Sequence, residues 1–538
     1  MPNKNLPELL PELSLEQKIG QLFLVALIGN TLNDEYREHY LRHKLGNFIY
    51  FAHNLTDYKS IRKLSDSLQN TTNESSGIPA FISADQEGGM VIRAYSGTTQ
   101  FPSNMAITAS GMSDSIEQVG EMVGKELRAL GINLNHAPVV DVNNNADNPI
   151  IGIRSYGDKQ ELVSKMGVGY VHGLQKSGVM ANAKHFPGHG DTNLDSHLDL
   201  PTIEHDMNRL NAIEIPPFKA VIANGVDSIM TAHIIFKAID SEVPATLSHK
   251  IMTGFLRGEL GFEGLAITDC MTMNAIKDFY TMEKGCVMAI KAGVDILCLC
   301  AKLDVQASCY NAVLEAVKSG EIPMARIDEA VARILKYKQK YLVDMKDKDN
   351  IQPLEKYPEH EALADEIGRK SITLVKDNKN LLPLAGKKVF IISPAPTRTM
   401  VDDERIAKQE NFGVKVAAAF SGSGGEFTEI SINPDDKEVK AVLDKFNEID
   451  KKEGYDVILF ASYNAMLNPG QIRLFEALKA TGKQIVVVSL RVPYDILKLQ
   501  EADCYIAAYE YTNRSINNII KALLGELEFV GKLPVSNL

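Results

Sequence analysis

The stretch of sequence that decides the fold is GVMANAKHFPGHGDTNLDSH, which spans residues 178–197. Its first six residues are mostly apolar and predict a buried strand. Proline and glycine then interrupt the pattern, and the remainder carries one lysine, three histidines and two aspartates. Because so many titratable groups on one loop have little structural use, the stretch indicates a catalytic or metal site after a strand.

Seven further apolar runs alternate with segments of helical periodicity on either side of this stretch. Together they predict eight strands at residues 22–27, 46–52, 80–85, 134–142, 179–186, 228–235, 264–270 and 295–300. Strands that are nearly continuously apolar and alternate with helices predict a parallel sheet. Eight such units in roughly 340 residues predict an α/β fold, a (β/α)8 TIM-type barrel over residues 1–343.

A second domain is predicted after the barrel. Residues 346–356 are charged and contain proline, which indicates a linker, and a helical pattern covers residues 359–375. We assign residues 344–385 to this linker and helix. Residues 386–538 predict a smaller α/β sandwich domain, with strands at 389–393, 457–462, 485–490 and 505–509.

The composition excludes several classes of partner. The 538 residues include 57 Lys and Arg against 69 Asp and Glu, a net charge of −12, which disfavours binding to nucleic acid. The sequence has no apolar run long enough to span a membrane. The six cysteines include no C-x-x-C pair and are interpreted as reduced core thiols. We therefore expect a cytoplasmic protein, with export possible if a signal segment was removed; the oligomeric state stays open.

Polar residues end five of the predicted strands: Asp85, Asp141, His185, His233 and Asp269. The carboxyl ends of the strands of such a barrel meet at one mouth, so these side chains are expected to share a pocket. An aspartate in the position of Asp269 suits a carboxylate nucleophile of the kind that glycosidases use. Capping of the next helix is the structural alternative.

The end of the opening stretch suggests an acid and base. Asp195 and His197 are two residues apart, so in an extended loop the carboxylate can orient the imidazole and stabilise its charged form. A zinc site is the competing interpretation, since His185 and His189 are four residues apart. Pro187 and Gly188 lie between them and break a helix, so we predict no metal.

The third group lies around DQEGGMVIR, residues 85–93. Its paired glycines suggest a close approach of the backbone to a ligand. Asp85 and Arg93, together with Arg154 in RSYG at residues 154–157, supply carboxylate and guanidinium groups that suit a hydroxyl-rich ligand. A salt-bridged surface position is the alternative for both arginines.

Taken together, KHFPGHGD-x-x-x-DSH, DQEGG-x-x-x-R, RSYG and the ITD strand end resemble glycoside hydrolase family 3, and within it the β-N-acetylglucosaminidase branch. The resemblance implies a retaining double displacement through a covalent glycosyl-enzyme, without a cofactor. It aligns Asp269 with the nucleophile and the Asp195–His197 pair with the acid/base. It aligns five residues with those that hold the sugar: Asp85, Arg93, Arg154, Lys184 and His185.

The function that this resemblance implies is removal of terminal, non-reducing N-acetylglucosamine from small glycans, such as peptidoglycan fragments. Three alternatives remain at this point. A histidine acid/base is compatible with phosphate as the acceptor, which would make the protein a phosphorylase. A β-glucosidase would take its acid from a glutamate of the second domain, for example Glu510. The last alternative, from another class, is an inert sugar-binding protein.

Overall fold

The computed structural model describes residues 5–193, 200–345, 352–398, 402, 404–536 and 538. The predicted fold class is confirmed: a parallel eight-stranded barrel is followed by a six-stranded α/β domain. The barrel strands are β1 (Phe23–Ala26), β2 (Asn47–Tyr50), β3 (Phe81–Ala84), β4 (Leu134–Asn135), β5 (Met180–Phe186), β6 (Ser228–Thr231), β7 (Leu265–Thr268) and β8 (Leu297–Leu299).

The barrel strands are hydrogen-bonded in the order β7-β6-β5-β4-β3-β2-β1-β8, and every pair is parallel. A parallel bridge between Ile267 and Ile296 connects the two ends of this sheet. The helices that surround the barrel are Leu15–Gln21, Asp34–His43, Tyr58–Ser76, Asn104–Ala109, Ile116–Ala129, Gln160–Lys176, Met207–Ala212, Ile215–Ala223, Lys250–Glu259, Asn274–Tyr280, Met282–Ala292, Leu303–Lys318 and Met324–Lys338.

Local sequence signals account for where these helices begin and end. For helix Tyr58–Ser76, the Asp57 side chain accepts hydrogen bonds from the backbone N–H groups of Lys59 and Ser60, both at 3.1 Å. This satisfies N–H groups that have no partner inside the helix. The helix ends at Gly77, whose φ of 71° is the left-handed conformation that favours glycine. Its inward face buries apolar residues at helical spacing, namely Ile61, Leu64 and Leu68.

Strand β4 is much shorter than the predicted strand over residues 134–142. Pro138 has no N–H for the sheet, so regular pairing ends at Asn135. The chain nevertheless continues beside β5, because Lys184 donates its backbone N–H to the carbonyl of Pro138 at 3.0 Å and accepts from Val140 at 2.8 Å. The sheet therefore extends to the residues that carry Asp141 toward the barrel mouth.

The second domain has a mixed six-stranded sheet. Its strands are β9 (Thr373–Asp377), β10 (Val389–Pro394), β11 (Glu426–Ile430), β12 (Val457–Ser462), β13 (Ile485–Ser489) and β14 (Cys504–Ala507), in the order β9-β14-β13-β12-β10-β11. Only β9 is antiparallel to its neighbour. The helices are Pro358–Ser371, Phe412–Ala419, Asp436–Glu453, Pro469–Lys479 and Asn513–Leu524. The first of these ends at Ser371, before the predicted residue 375, because residues 373–377 form β9.

The second domain packs on the barrel beside its mouth. A hydrophobic cluster joins Met90, Met105 and Ile153 of the barrel to apolar residues of β10, β12, β13 and β14. Tyr494 of the second domain donates its hydroxyl to the Asn143 carbonyl at 2.9 Å. Since Met90 lies in the turn of a short hairpin, Gln86–Gly88 with Val91–Ile92, the domain supports a loop of the barrel mouth. Among the described residues, no helix is both long and apolar enough to cross a bilayer.

Candidate active site

A cavity of about 510 Å³ lies at the carboxyl ends of the barrel strands. Six of the eight predicted site residues line it: Asp85, Arg93, Arg154, Lys184, His185 and Asp269. The other two, Asp195 and His197, lie outside the described residues. The topology thus brings together side chains that are up to 184 positions apart in the sequence, from Asp85 to Asp269.

Asp269 directly follows β7 and is partly exposed to the cavity. One of its carboxylate oxygens, Oδ1, accepts a hydrogen bond from the backbone N–H of Cys270 at 2.7 Å. The next helix begins at Asn274, and its N-cap residue, Met273, makes no side-chain capping bond. Asp269 is therefore not the cap of that helix, and its carboxylate faces the ligand space.

Four charged side chains form a network beside Asp269. Lys184 Nζ lies 2.7 Å from Asp85 Oδ1 and 2.6 Å from Glu87 Oε1. Arg154 donates two hydrogen bonds to the Glu87 carboxylate, from Nε at 2.8 Å and Nη2 at 2.9 Å. Glu87 is buried, whereas the Asp85 side chain keeps 18% of its surface exposed. The network thus leaves Asp85 accessible to a ligand, and the buried Glu87 fixes the positions of Lys184 and Arg154.

The charges of this network keep it ionised. Burial would raise the pKa of Glu87, but Arg154 and Lys184 outweigh it and lower that pKa to about 2. Burial would likewise raise the pKa of Asp85, and Lys184, with His136 and Arg93, holds it far below its usual range. Burial lowers the pKa of Lys184, but Asp85 and Glu87 raise it above the usual value. Both carboxylates are therefore ionised, and the partly exposed Asp85 can accept hydrogen bonds from sugar hydroxyls.

Glu87 was missed as a site residue, although it lies inside the DQEGG motif. The paired glycines after it also have a different role from the predicted one. Neither Gly88 nor Gly89 lines the cavity. Their φ values are 106° and 57°, and a Cβ atom on Gly88 would lie 2.7 Å from the carbonyl oxygen of Pro102. They let the hairpin turn tightly against the chain segment that contains Pro102.

His185 is oriented by Asp141, a predicted strand-end residue to which the sequence assigned no role in the site. The Nδ1 atom of His185 lies 2.7 Å from Asp141 Oδ2, and its Nε2 atom lies 3.4 Å from Arg154 Nη2. The other oxygen of Asp141 accepts the backbone N–H of His189 at 2.7 Å. The sequence shows that Asp141 is a polar residue at the end of a predicted strand. Its contact with His185 can be recognised only from the fold.

His136 is a further missed residue of the cavity wall. It is buried beneath the charged network, with Nε2 at 2.9 Å from Ser83 Oγ and Nδ1 at 2.8 Å from Asn182 Nδ2. Burial lowers the pKa of His136 to about 4, so it is neutral at pH 7. Two of the five strand-end residues, Asp141 and His233, do not line the cavity. The Nδ1 atom of His233 lies 2.7 Å from Thr246 Oγ1.

The residues that flank the predicted Asp195–His197 pair are well anchored. Before the pair, Asp191 Oδ2 lies 2.7 Å from His205 Nε2 and 2.9 Å from Arg209 Nη2. After it, Thr202–Ile203 pairs with Ile235–Phe236, and Ile235 donates its N–H to the Pro201 carbonyl at 3.0 Å. Both flanks are thus attached to the barrel near the mouth. The acid/base assignment of the pair stays a prediction.

The second domain contributes directly to the cavity through the loop after β10. Arg398, Asp402 and Glu404 of this loop line the cavity. The Asp402 carboxylate forms a buried ion pair with Arg491, which fixes the loop to the domain. Glu510, in contrast, lines a separate cavity of about 720 Å³ between the domains, and it accepts the N–H of Ser103 at 2.8 Å. Because Glu510 does not line the cavity that contains Asp269, its position argues against a role as the acid.

Three cysteines also line the cavity: Cys270, Cys298 and Cys300. Cys270 and Cys300 are half-buried, so the interpretation of all six cysteines as core thiols is wrong for these two. Of the His, Cys, Asp and Glu side chains that the structure describes, these three form the group whose ligand atoms could hold a metal ion. The neighbouring His185 and His189 instead bond to Asp141 and Thr192.

Comparisons with known proteins agree with this arrangement. A β-hexosaminidase A of Pseudoalteromonas piscicida is 30% identical over 94% of this chain and 91% of its own length. A β-N-acetylglucosaminidase/β-glucosidase of Cellulomonas fimi is 28% identical, over 98% of this chain and 94% of its own. The structure of a family 3 β-N-acetylglucosaminidase from Paenibacillus sp. str. FPU-7 is 38% identical, with a TM-score of 0.89, and covers 97% of this chain and 99% of that one.

The family comparison covers both domains in order. Residues 14–337 match the glycosyl hydrolase family 3 N terminal domain, and residues 372–537 match the glycosyl hydrolase family 3 C-terminal domain. The first match spans the barrel, including every residue of the charged network and Asp269. The second begins just before β9, where the structure places the start of the second sheet. This chain therefore belongs to glycosyl hydrolase family 3 and is a glycoside hydrolase.

Proposed function

We propose that this protein is a retaining exo-β-N-acetylglucosaminidase, which removes terminal, non-reducing N-acetylglucosamine from small glycans. The observation that carries the proposal is the single cavity in which the Asp269 carboxylate lies with the ionised Asp85–Lys184–Glu87–Arg154 network. The names of the similar proteins support N-acetylglucosamine as the sugar, since the three reported above are named as a β-hexosaminidase or as β-N-acetylglucosaminidases.

The network supplies what binding of one sugar ring requires. Asp85 accepts hydrogen bonds from hydroxyl groups, while Lys184 and Arg154 donate them. Because Glu87 and Asp85 together balance the charges of Lys184 and Arg154, the donors are held without a free buried charge. Apolar side chains, including Ile49, Val91 and Met230, line the same cavity and can contact the carbon-bound faces of the ring or an acetamido methyl group.

In the proposed reaction, Asp269 attacks the anomeric carbon and forms a glycosyl ester while the bond to the leaving oxygen breaks. His197, oriented by Asp195, gives its proton to that oxygen. It then accepts a proton from water, which cleaves the ester and releases the sugar with retained configuration. Asp85, Lys184, Arg154 and His185 hold the ring in place, and this positioning reduces the entropy cost of both steps.

The proposed natural substrates are peptidoglycan fragments. The aglycone of such a fragment carries the carboxylate of a lactyl ether, which a cation near the leaving-group side would recognise. Arg398, which the second-domain loop brings to the cavity, is an exposed cation that suits this role. The same loop brings the exposed carboxylate of Glu404, whose negative charge disfavours phosphate as the acceptor in place of water.

A panel of nitrophenyl β-glycosides, tested with and without phosphate, examines this proposal. We expect turnover of the N-acetylglucosaminide in excess of the glucoside, with free N-acetylglucosamine as the product in both buffers. Asp269→Asn should abolish turnover of every glycoside, since a carboxamide cannot form the ester. Release of a sugar 1-phosphate would instead support a phosphorylase, and preference for the glucoside would contradict the assigned sugar.

A further inference from the structure

Three thiols converge at the edge of the sugar cavity, next to Asp269. Cys270 follows Asp269 in the sequence, and Cys298 and Cys300 are two residues apart at the end of β8, so their side chains share one face. The Sγ atoms of all three lie within 4.8 Å of one another, and those of Cys298 and Cys300 are 3.7 Å apart. Residues of the adjacent strands hold them there: Met271 donates its N–H to the Cys298 carbonyl at 2.8 Å.

These separations fit the sulfur ligands of a metal ion. A tetrahedral zinc ion with Zn–S bonds of about 2.3 Å holds its sulfur ligands about 3.8 Å apart. The Cys298–Cys300 separation already meets this value, and Cys270 lies close enough to complete a three-sulfur face. All three cysteines line the cavity, so an ion has an entry path and room for a fourth ligand from solvent.

The other three cysteines of the chain provide matched controls. Cys286 and Cys309, buried in the core, and Cys504, in β14, lie outside this cluster.

We propose that Cys270, Cys298 and Cys300 form a thiolate site for a thiophilic divalent cation, with Zn²⁺ as the physiological candidate, inside the sugar cavity. Binding joins the ion to three thiolate sulfurs and releases to solvent the protons that the thiols held. The bound ion lies beside the nucleophile and obstructs the sugar, so it inhibits the enzyme rather than assisting it. The inhibitory consequence rests on the proposed function; the binding does not.

Titration of the full-length protein with Cd²⁺, after reduction with a phosphine, tests the binding directly. We expect ultraviolet absorption from sulfur-to-cadmium charge transfer that saturates at one equivalent, with release of protons to solvent. Cys300→Ser and Cys298→Ser should each weaken Cd²⁺ binding by more than about 100-fold. This exceeds the loss of about 10–100-fold in affinity that is typical when a residue next to a metal ligand is changed. Cys504→Ala removes a remote thiol and should bind as the wild type does.

Activity with Zn²⁺ is the second measurement. We expect inhibition that a chelator reverses and that needs more Zn²⁺ in Cys300→Ser than in Cys504→Ala. Absence of charge-transfer absorption at one equivalent, or equal absorption in Cys300→Ser and the wild type, would overturn the site. Loss of activity on chelation would overturn its inhibitory role. The absorption requires no turnover, so a failure of the proposed function would leave the binding result unaffected.

Discussion

At the scale of single residues, Glu87 determines how the sugar-holding charges are arranged. It accepts from Arg154 and contacts Lys184 while being buried, and Lys184 in turn contacts the exposed Asp85. Removing its charge leaves two buried cations with one carboxylate between them. Breaking a buried ion pair at one partner costs about 3–5 kcal/mol, because the remaining charge is uncompensated.

Glu87→Gln should therefore lower the free energy of unfolding by about 3–5 kcal/mol at pH 7, measured by denaturant unfolding. The matched control is Glu404→Gln, which removes an exposed carboxylate from the same cavity and should change stability by less than about 0.5 kcal/mol. Equal effects of the two substitutions would show that the buried network does not carry this stability.

The wild type and Glu87→Gln should also differ in how their stability depends on pH. The folded-state pKa of Glu87 is about 2, below its usual value of about 4.3, so its ionised form stabilises the folded protein. That contribution is fully present above about pH 4.3 and is lost as the pH falls toward 2. Wild-type stability should thus fall more steeply with acidification than that of Glu87→Gln; parallel curves would contradict the assigned shift.

His197→Ala tests the predicted acid. Protonation matters most when the leaving group is poor, so the variant should lose about 10²–10⁴-fold on a natural disaccharide and far less on a dinitrophenyl glycoside in the step that forms the ester. Azide should partly restore its turnover by replacing the base-assisted water. Asp195→Asn should show the same pattern more mildly. Full activity of both variants on the disaccharide would place the acid elsewhere, with Glu404 as the second-domain glutamate of this cavity.

At the scale of elements, the loop after β10 is the part of the second domain that reaches the sugar cavity. Its Arg405 stacks 4.2 Å over the Tyr95 ring and donates to the Arg93 carbonyl at 3.0 Å, so the loop is attached to the barrel mouth. Asp402 is held by Arg491 at the other side. The second domain therefore both supports the barrel mouth and contributes side chains to the cavity.

Arg398→Gln tests that contribution. It should lower kcat/KM by up to about fivefold for a substrate whose aglycone carries a carboxylate, and leave a neutral aglycone unaffected, since an exposed ion pair contributes about 1 kcal/mol or less. Lys408→Gln removes an exposed cation from the same segment that does not line the cavity, and serves as the control. An equal effect of Arg398→Gln on both substrates would contradict recognition of the aglycone carboxylate.

The elements that could be predicted from sequence are those with a strong periodic signal. All eight barrel strands and the four inner strands of the second sheet are apolar and buried, which the sequence shows directly. Strands β9 and β11 were not predicted, because they lie at the sheet edges and are half-exposed over most of their length. Their side chains do not form the continuous apolar run that identifies a buried strand.

The site residues that could be predicted are likewise those with a local signal in the sequence. Asp85, His185 and Asp269 end predicted strands, so a barrel places them in one mouth without knowledge of any contact. Glu87 needs the contact with Arg154, 67 positions away, to be recognised. Asp402 and Glu404 reach the cavity only through the docking of the second domain, for which the sequence has no periodic signal.

At the scale of the whole molecule, residues of both domains line the cavity that contains Asp269, whose volume of about 510 Å³ falls in the range of small-ligand pockets rather than long binding grooves. Chitin oligosaccharides should therefore be shortened from the non-reducing end, one sugar at a time, as chromatography of early products would show. Early release of mid-length fragments would contradict a pocket that holds one terminal sugar.

The central claim is that Asp269 forms the covalent bond to the sugar. The most direct measurement is mass spectrometry of peptides from protein treated with a fluorinated N-acetylglucosaminyl donor that has a good leaving group. Fluorine slows both formation and cleavage of the ester, and the good leaving group speeds its formation alone, so the ester accumulates. We predict one sugar adduct, on the peptide that contains Asp269, and none in Asp269→Asn. An adduct on any other residue, or turnover of the donor without an adduct in the wild type, would contradict the account.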